Sequence, residues 1–159
     1  METDKIISKL HTSNQDDLRD LFIDIAALFE TADRNKSLAE PLKMIAFLIS
    51  EKVAMKIWEI DSVTTAFWVL GKAVLIPNSP DLVQLASKTI ERIGTADSCY
   101  QVLIALDNQM MAERAPHKTD ASIILNAFHN APSLWNEDPQ LLKRVKTWLE
   151  DTVKLNKPS

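Results

Sequence analysis

The sequence predicts an all-α protein of about eight helices arranged in antiparallel pairs. Apolar residues recur at helical spacing along almost the whole chain. Only two of the 159 residues are glycine, too few for the positive-φ turns of a fold with many β-hairpins. The β-branched residues fall inside segments of helical period, so we predict no strand.

Length and composition predict one cytoplasmic domain. A chain of 159 residues has the size of a single domain, which we place at residues 1–155 with a frayed end at 156–159. The single cysteine allows no intramolecular disulfide, and the charged N-terminus lacks the apolar centre of a signal peptide. The longest apolar stretch, residues 44–50, is far shorter than the roughly 20 residues that span a bilayer.

The first predicted pair of helices ends before residue 34. Its first helix, over residues 4–10, is short. Its second helix has one continuous apolar stripe, formed by Leu18, Leu21, Phe22, Ile25, Leu28 and Phe29. Asp17, Asp20 and Asp24 share the opposite side, which we therefore expect to face solvent.

The second predicted pair begins at a capping box, in which the side chains of Ser37 and Glu40 each bond the other's backbone N–H. The helix is expected to reach residue 60. One apolar stripe is Leu42, Ile45, Ile49 and Val53, and a second is Met44, Phe47, Met55 and Trp58. A helix that is apolar on two sides packs on two sides, so this helix is predicted to be central. Asp61 is expected to cap the next helix, whose stripe is Val63, Ala66, Phe67, Leu70 and Val74.

Two further pairs are predicted after residue 77. Ser79 and Pro80 are expected to start a helix with the stripe Leu82, Leu85, Ala86, Ile90 and Ile93, in which Ile90 is fully buried. Gly94 is expected to end that helix. The next one presents Cys99, Val102, Leu103, Leu106 and Met110, and a last pair lies within residues 119–155. Breaks are expected near residues 34–37, 77–79, 115–118 and 130–136.

Residues 80–106 resemble a HEAT-type helical repeat. The matching features are Pro80-Asp81 at the start of a helix, Ala86 in its middle, Ile93-Gly94 at its end, Asp97 in the turn and a Leu-rich second helix. The predicted pairs start at intervals of roughly 35 to 42 residues, which is typical of helical repeats. The resemblance implies an α-solenoid of HEAT or armadillo type. From the residues alone, an irregular helical bundle is the alternative.

No combination of residues in the sequence predicts catalysis or metal binding. The three histidines have no metal-ligand spacing and belong to no HExxH motif. Cys99 lies on the apolar side of its predicted helix, where cysteine behaves as a small hydrophobic residue. We therefore expect no enzyme activity, no cofactor and no metal. An enzyme whose site is assembled only by the tertiary structure is the alternative.

The charge distribution favours a protein partner with a basic surface. The chain carries 22 acidic and 18 basic residues, and the acidic surplus lies in residues 1–40. An acidic stripe there is formed by Asp16, Asp17, Asp20 and Asp24. The basic cluster is Lys143, Arg144 and Lys146. No nucleic-acid recognition motif accompanies that cluster, so we expect neither nucleic acid nor a membrane as the partner.

These observations predict a non-enzymatic protein-binding module, acting as an adaptor or an inhibitor. If the pairs stack, their second helices share one surface that is acidic at its N-terminal end and basic at its C-terminal end. Trp68, which lies off the apolar stripe of its helix, is the predicted anchor. The candidate binding residues are Asp20, Asp24, Trp68, Lys72, Gln101, Asn108 and Trp135. An immunity-type inhibitor of a basic toxin or enzyme is the alternative within this class.

Overall fold

The structure is a computed structural model that describes residues 2–12, 14–32, 34–90, 92 and 96–109, together with the single positions 126, 139–140, 143, 147 and 150–151. The described residues form six α-helices and two short 3-10 helices, and they contain no strand. The prediction of an all-α fold is therefore confirmed for this part of the chain. The breaks predicted near 115–118 and 130–136 lie outside the described residues.

The helices are, in chain order, α1 (Glu2–Thr12), α2 (Gln15–Glu30), α3 (Ala39–Ala54), α4 (Ile60–Lys72), α5 (Leu82–Ile90) and α6 (Ala96–Gln109). The 3-10 helices are Lys36–Leu38 and Ala73–Leu75. The turns before α3 and before α5 occur where the sequence predicts breaks. The backbone divides into two compact units, residues 1–80 and residues 81–159. The single domain over residues 1–155 stays a prediction.

The first unit consists of two stacked helical pairs. Within the pairs, α1 packs against α2 and α3 packs against α4. Between the pairs, α1 packs against α3 and α2 packs against α4. The first helices of the two pairs therefore form one layer and the second helices form the other. The core between the layers is closed by fully buried side chains, the largest being Phe22, Phe29 and Phe67.

The structure confirms the predicted apolar stripe of α2. Five of its six residues, Leu18, Leu21, Phe22, Ile25 and Phe29, are buried, and Leu28 is half-buried. The helix starts after Asn14, whose side-chain oxygen accepts the Asp17 backbone N–H at 3.0 Å. An asparagine at this position satisfies one of the free N–H groups of the first helical turn. The stripe therefore fixes which side of α2 faces the core.

The predicted capping box at the start of α3 is wrong. Residues Lys36–Leu38 form a 3-10 helix, and α3 begins one residue later, with Leu38 at the N-cap. The Ser37 hydroxyl donates instead to the Asn35 side-chain oxygen at 2.7 Å. A tight turn that precedes the helix places the serine outside the first α-helical turn, where its hydroxyl meets a local acceptor.

The prediction that the helix reaches residue 60 is also wrong, since α3 ends at Ala54. Lys56, two residues later, has a φ of 61°. A non-glycine residue in this left-handed region stops a right-handed helix. Trp58 therefore lies in the turn between α3 and α4, where it is buried, and not on α3.

The prediction that a second apolar side of α3 is buried is wrong. The stripe Leu42, Ile45, Ile49 and Val53 is buried as predicted. On the other side, Met44 is 60% exposed and Phe47 is 49% exposed. The core-facing stripe of α3 is packed within the first unit, where α3 contacts α1 and α4. The side of α3 that carries Met44 and Phe47 is exposed.

The predicted stripe of α4 and of the 3-10 helix after it is confirmed, because all its members are buried: Val63, Ala66, Phe67, Leu70 and Val74. Asp61 is not the cap of this helix; it lies in the first turn, and Glu59 occupies the N-cap position. Val69 and Gly71 are buried as well, so α4 is covered over more than its predicted stripe.

In the second unit, α5 packs against α6 and begins two residues later than predicted. Ser79 and Pro80 precede the helix, and the first helical residue is Leu82. Two side chains accept hydrogen bonds from free backbone N–H groups in the first turn of α5. The Leu82 N–H donates to Gln109 Oε1, and the Val83 N–H donates to Asp81 Oδ1, both at 2.9 Å. Gln109 Nε2 also donates to Asp81 Oδ1 at 3.2 Å. The end of α6 therefore supports the start of α5.

The core of the second unit follows the predicted periodicity. On α5, Leu82, Ala86 and Ile90 are buried, and Ile90 is fully so, as predicted; Leu85 is half-buried. On α6, Val102, Leu103 and Leu106 are buried. Ile93, Gly94, Met110 and the side chain of Cys99 lie outside the described residues. None of the described helices is long and apolar enough to cross a membrane.

Candidate protein-binding surface

The second helices of the first unit, α2 and α4, run side by side in the same direction. At their C-terminal ends, Glu30 Oε1 and Lys72 Nζ form a salt bridge of 2.7 Å. A groove at their N-terminal ends is lined by Asp16, Arg19, Phe22, Glu59, Asp61, Ser62 and Thr65. These two points fix the register, which places Ile23 level with Thr65 and Ala27 level with Trp68. We call the outward side of this layer the α2–α4 face.

On α4, this face is a stripe of residues that are exposed or half-buried: Asp61, Thr64, Thr65, Trp68 and Lys72. The hydroxyls of Thr64 and Thr65 donate to the backbone carbonyls of Ile60 and Asp61, at 3.0 and 3.1 Å. These hydroxyls therefore already have acceptors within their own helix. Trp68 is the large apolar group that the stripe presents.

Trp68 is held in place by charged neighbours. The Lys72 ammonium lies over its ring, 5.1 Å from the centroid, which is the geometry of a cation–π contact. The same ammonium is bonded to Glu30, and the Lys72 side chain is 26% exposed while that of Glu30 is 59% exposed. A surface ion pair of this kind adds about 0–1 kcal/mol of stability. Its main effect here is to fix the Lys72 ammonium over the Trp68 ring.

All four acids of the predicted stripe on α2, Asp16, Asp17, Asp20 and Asp24, are exposed. The four acids differ in the residues that surround them. Asp16 borders the groove toward α4. Asp24 borders a groove toward α1, together with Lys5 and Lys9. The negative charge of α2 is therefore partly offset by Lys5 and Lys9 on its α1 side, and by Arg19, which lines the groove toward α4 together with Asp16.

Sequence reasoning missed Ile23, which is 50% exposed. It lies off the apolar stripe of α2 and, in the register above, on the side that borders α4. Its position off the stripe is the same signal that singles out Trp68 on α4. The α2–α4 face thus contains one partly exposed aliphatic residue and one partly exposed aromatic residue on adjacent helices.

The remaining candidates belong to residues 81–159, the second unit, whereas the α2–α4 face is defined within the first unit. Gln101 and Asn108 are half-buried on α6, in the second unit. Trp135 lies outside the described residues, as do Arg144 and Lys146; Lys143 is exposed. The charge gradient along four stacked pairs stays a prediction.

The described residues contain no group of three or more His, Cys, Asp and Glu side chains that could hold a metal ion. Comparison with known protein families, with characterised proteins and with solved structures finds no match.

Proposed function

We propose that this chain is a non-enzymatic protein-binding module whose α2–α4 face contacts a protein partner. The observation that carries this proposal is Trp68, a partly exposed tryptophan fixed beneath Lys72 on the outward stripe of α4. Tryptophan is enriched among the residues that dominate binding energy at interfaces. A side chain that is fixed before binding loses less conformational entropy when the complex forms. Ile23 extends the apolar contact onto α2.

The charge of α2 supports a partner with a basic surface. Exposed acids at the N-terminal end of the face attract such a partner over a distance and orient it during the encounter. An immunity-type inhibitor of a basic toxin or enzyme acts in the same way, and the exposed acids favour this second form of the proposal. We also propose that the helical pairs of the chain stack as a solenoid. The stacking of two pairs in the first unit supports this arrangement.

The proposal is tested with the full chain as bait for partners from its native cell, followed by rate measurements on the purified complex. Trp68→Ala is expected to speed dissociation by about 30-fold, which corresponds to roughly 2 kcal/mol. Asp20→Asn combined with Asp24→Asn is expected to slow association at low salt and to do so less at high salt. Met55→Ala, at a side chain that is 57% exposed in the α3–α4 turn, is the matched control. Unchanged rates for both variants, with far-UV circular dichroism unchanged, would show that the partner binds elsewhere.

A further inference from the structure

The first-helix layer of the first unit carries an apolar patch that the proposed function does not use. The outward side of α3, opposite its core stripe, is formed by the exposed residues Glu40, Met44, Phe47, Glu51 and Ala54. A shallow groove between α1 and α3 is lined by Ile7, His11, Lys43, Met44, Phe47, Leu48 and Glu51. Single exposed apolar residues are common, but adjacent ones on a helix side form a patch of the kind that contacts another molecule.

The charges around this patch are arranged symmetrically. Lys43 lies one helical turn before Phe47, and Glu51 lies one turn after it. A two-fold axis through Phe47, perpendicular to α3, places Lys43 of each chain beside Glu51 of the other. The same operation places Glu40 opposite Ala54 of the second copy, so no acid of the patch lies directly opposite another acid, and Lys43 lies between Glu40 and Glu51 of the second copy. The patch is therefore complementary to itself, as a two-fold symmetric interface requires.

The positions of the Lys43 and Glu51 side chains also allow this pairing. The Lys43 side chain is 25% exposed and its ammonium lies 3.0 Å from Glu40 Oε2, which holds it at the edge of the patch. Glu51 is exposed. An ammonium has three donors, so Lys43 can retain Glu40 while it bonds a second carboxylate. Ridges of helical side chains pack at interaxial distances of 8–10 Å, a range that brings Phe47 of the two copies into contact.

From this arrangement we infer that the chain forms a two-fold symmetric homodimer in which the α3 helices of two copies pack antiparallel, with Phe47 at the centre and a Lys43–Glu51 pair on each side. The α2–α4 face belongs to the other layer of the first unit. The dimer therefore leaves Trp68 free to contact a different partner. The inference of a dimer does not depend on the proposed function, and either can be refuted without the other.

The first experiment measures the mass of the full chain by sedimentation equilibrium over a range of concentrations. The wild-type protein is expected to show a monomer–dimer equilibrium. Phe47→Ser is expected to weaken dimerisation at least tenfold, because it removes the central apolar contact on both copies. Leu75→Ser is the matched control, since Leu75 is 60% exposed and lies outside α3, and it is expected to leave the equilibrium unchanged. A wild-type protein that stays monomeric up to its solubility limit refutes the inference.

The second experiment tests the pairing itself by charge reversal. Lys43→Glu alone and Glu51→Lys alone are each expected to abolish self-association, because each brings like charges together twice. A mixture of these two variants is expected to form a heterodimer, in which all the facing charges are opposite. The double variant is expected to dimerise with itself again. If the mixture does not associate while both variants keep their helical circular dichroism, the antiparallel arrangement about Phe47 is wrong and the patch faces another partner.

Discussion

Replacing Trp58 with alanine is expected to destabilise the first unit strongly. Trp58 is only 5% exposed although it lies in a turn, and its ring packs edge to face on Phe22, with centroids 5.4 Å apart and an interplanar angle of 76°. A tryptophan side chain buries about 150–250 Å². At about 25 cal/mol for each Å², that burial contributes roughly 4–6 kcal/mol.

Two further effects set the expected magnitude. The edge-to-face contact adds about 0.5–1.5 kcal/mol. An extended reference chain overstates the area that folding buries, by about 10–40%, which lowers the burial contribution. The loss expected for Trp58→Ala is therefore about 3–5 kcal/mol, in agreement with the usual range for removing a buried aromatic side chain. Trp58→Phe retains a ring against Phe22 and is expected to cost less.

The assay is urea unfolding followed by far-UV circular dichroism, with linear extrapolation of the free energy of unfolding to water. Met55→Ala, three residues earlier in the same turn and 57% exposed, is the control, and its cost is expected to stay within about 0.5 kcal/mol. If Trp58→Ala costs no more than Met55→Ala, Trp58 is not part of the core and the reasoning above is refuted.

Two further predictions concern local structure. Gln109→Ala leaves the Leu82 N–H without its acceptor at a buried site, and we expect the free energy of unfolding in urea to fall by about 1–3 kcal/mol. Gln84→Ala, at an exposed position on α5, is the control and should change the free energy of unfolding little. Equal losses for the two variants would contradict the role of Gln109 as the acceptor for Leu82. Lys56 has a left-handed backbone conformation, with φ at 61°, which glycine adopts without steric cost. Lys56→Gly is therefore expected to be neutral or to stabilise the protein by up to about 1 kcal/mol. Lys52→Gly, inside α3, is the control and should destabilise the protein by about 1 kcal/mol. A clear loss of stability in Lys56→Gly would show that this conformation is not under strain.

Local periodicity predicted the core stripes of α2, α3, α4 and α5 and the described part of the stripe of α6, but no stripe was predicted for α1. The stripe of α4, and Ile90 on α5, are buried as expected because residues three or four apart share a side of a helix whatever surrounds it. The turns before α3 and α5 were predicted for a similar reason, since breaker and polar residues act on the backbone over a few positions. In the acidic stripe, Asp20 and Asp24 are exposed because their side of α2 is opposite the apolar one.

Helix ends were predicted less accurately, because the competing interactions come from outside the local pattern. Ser37 has the spacing of a capping box, yet a preceding 3-10 turn directs its hydroxyl to Asn35. The start of α5 depends on Gln109, which is 27 residues away from Leu82 in the chain. A pattern that is read over one helical turn contains no information about an acceptor at that distance.

The sequence alone determined which residues share a side of each helix, because that follows from 3.6 residues per turn. It did not determine which sides are covered. Met44 and Trp58 belong to the same predicted stripe, but the tertiary structure exposes Met44 and buries Trp58, because α3 ends before Trp58 and the turn brings that ring onto Phe22. In the same way, tertiary packing brought Glu30 of α2 to Lys72 of α4. The contact of Lys72 with Trp68, by contrast, joins residues four apart on α4 and follows from the helical period. The contacts of Trp58 with Phe22 and of Glu30 with Lys72 join different elements, so they are decided by how the helices pack and not by the period of any one helix.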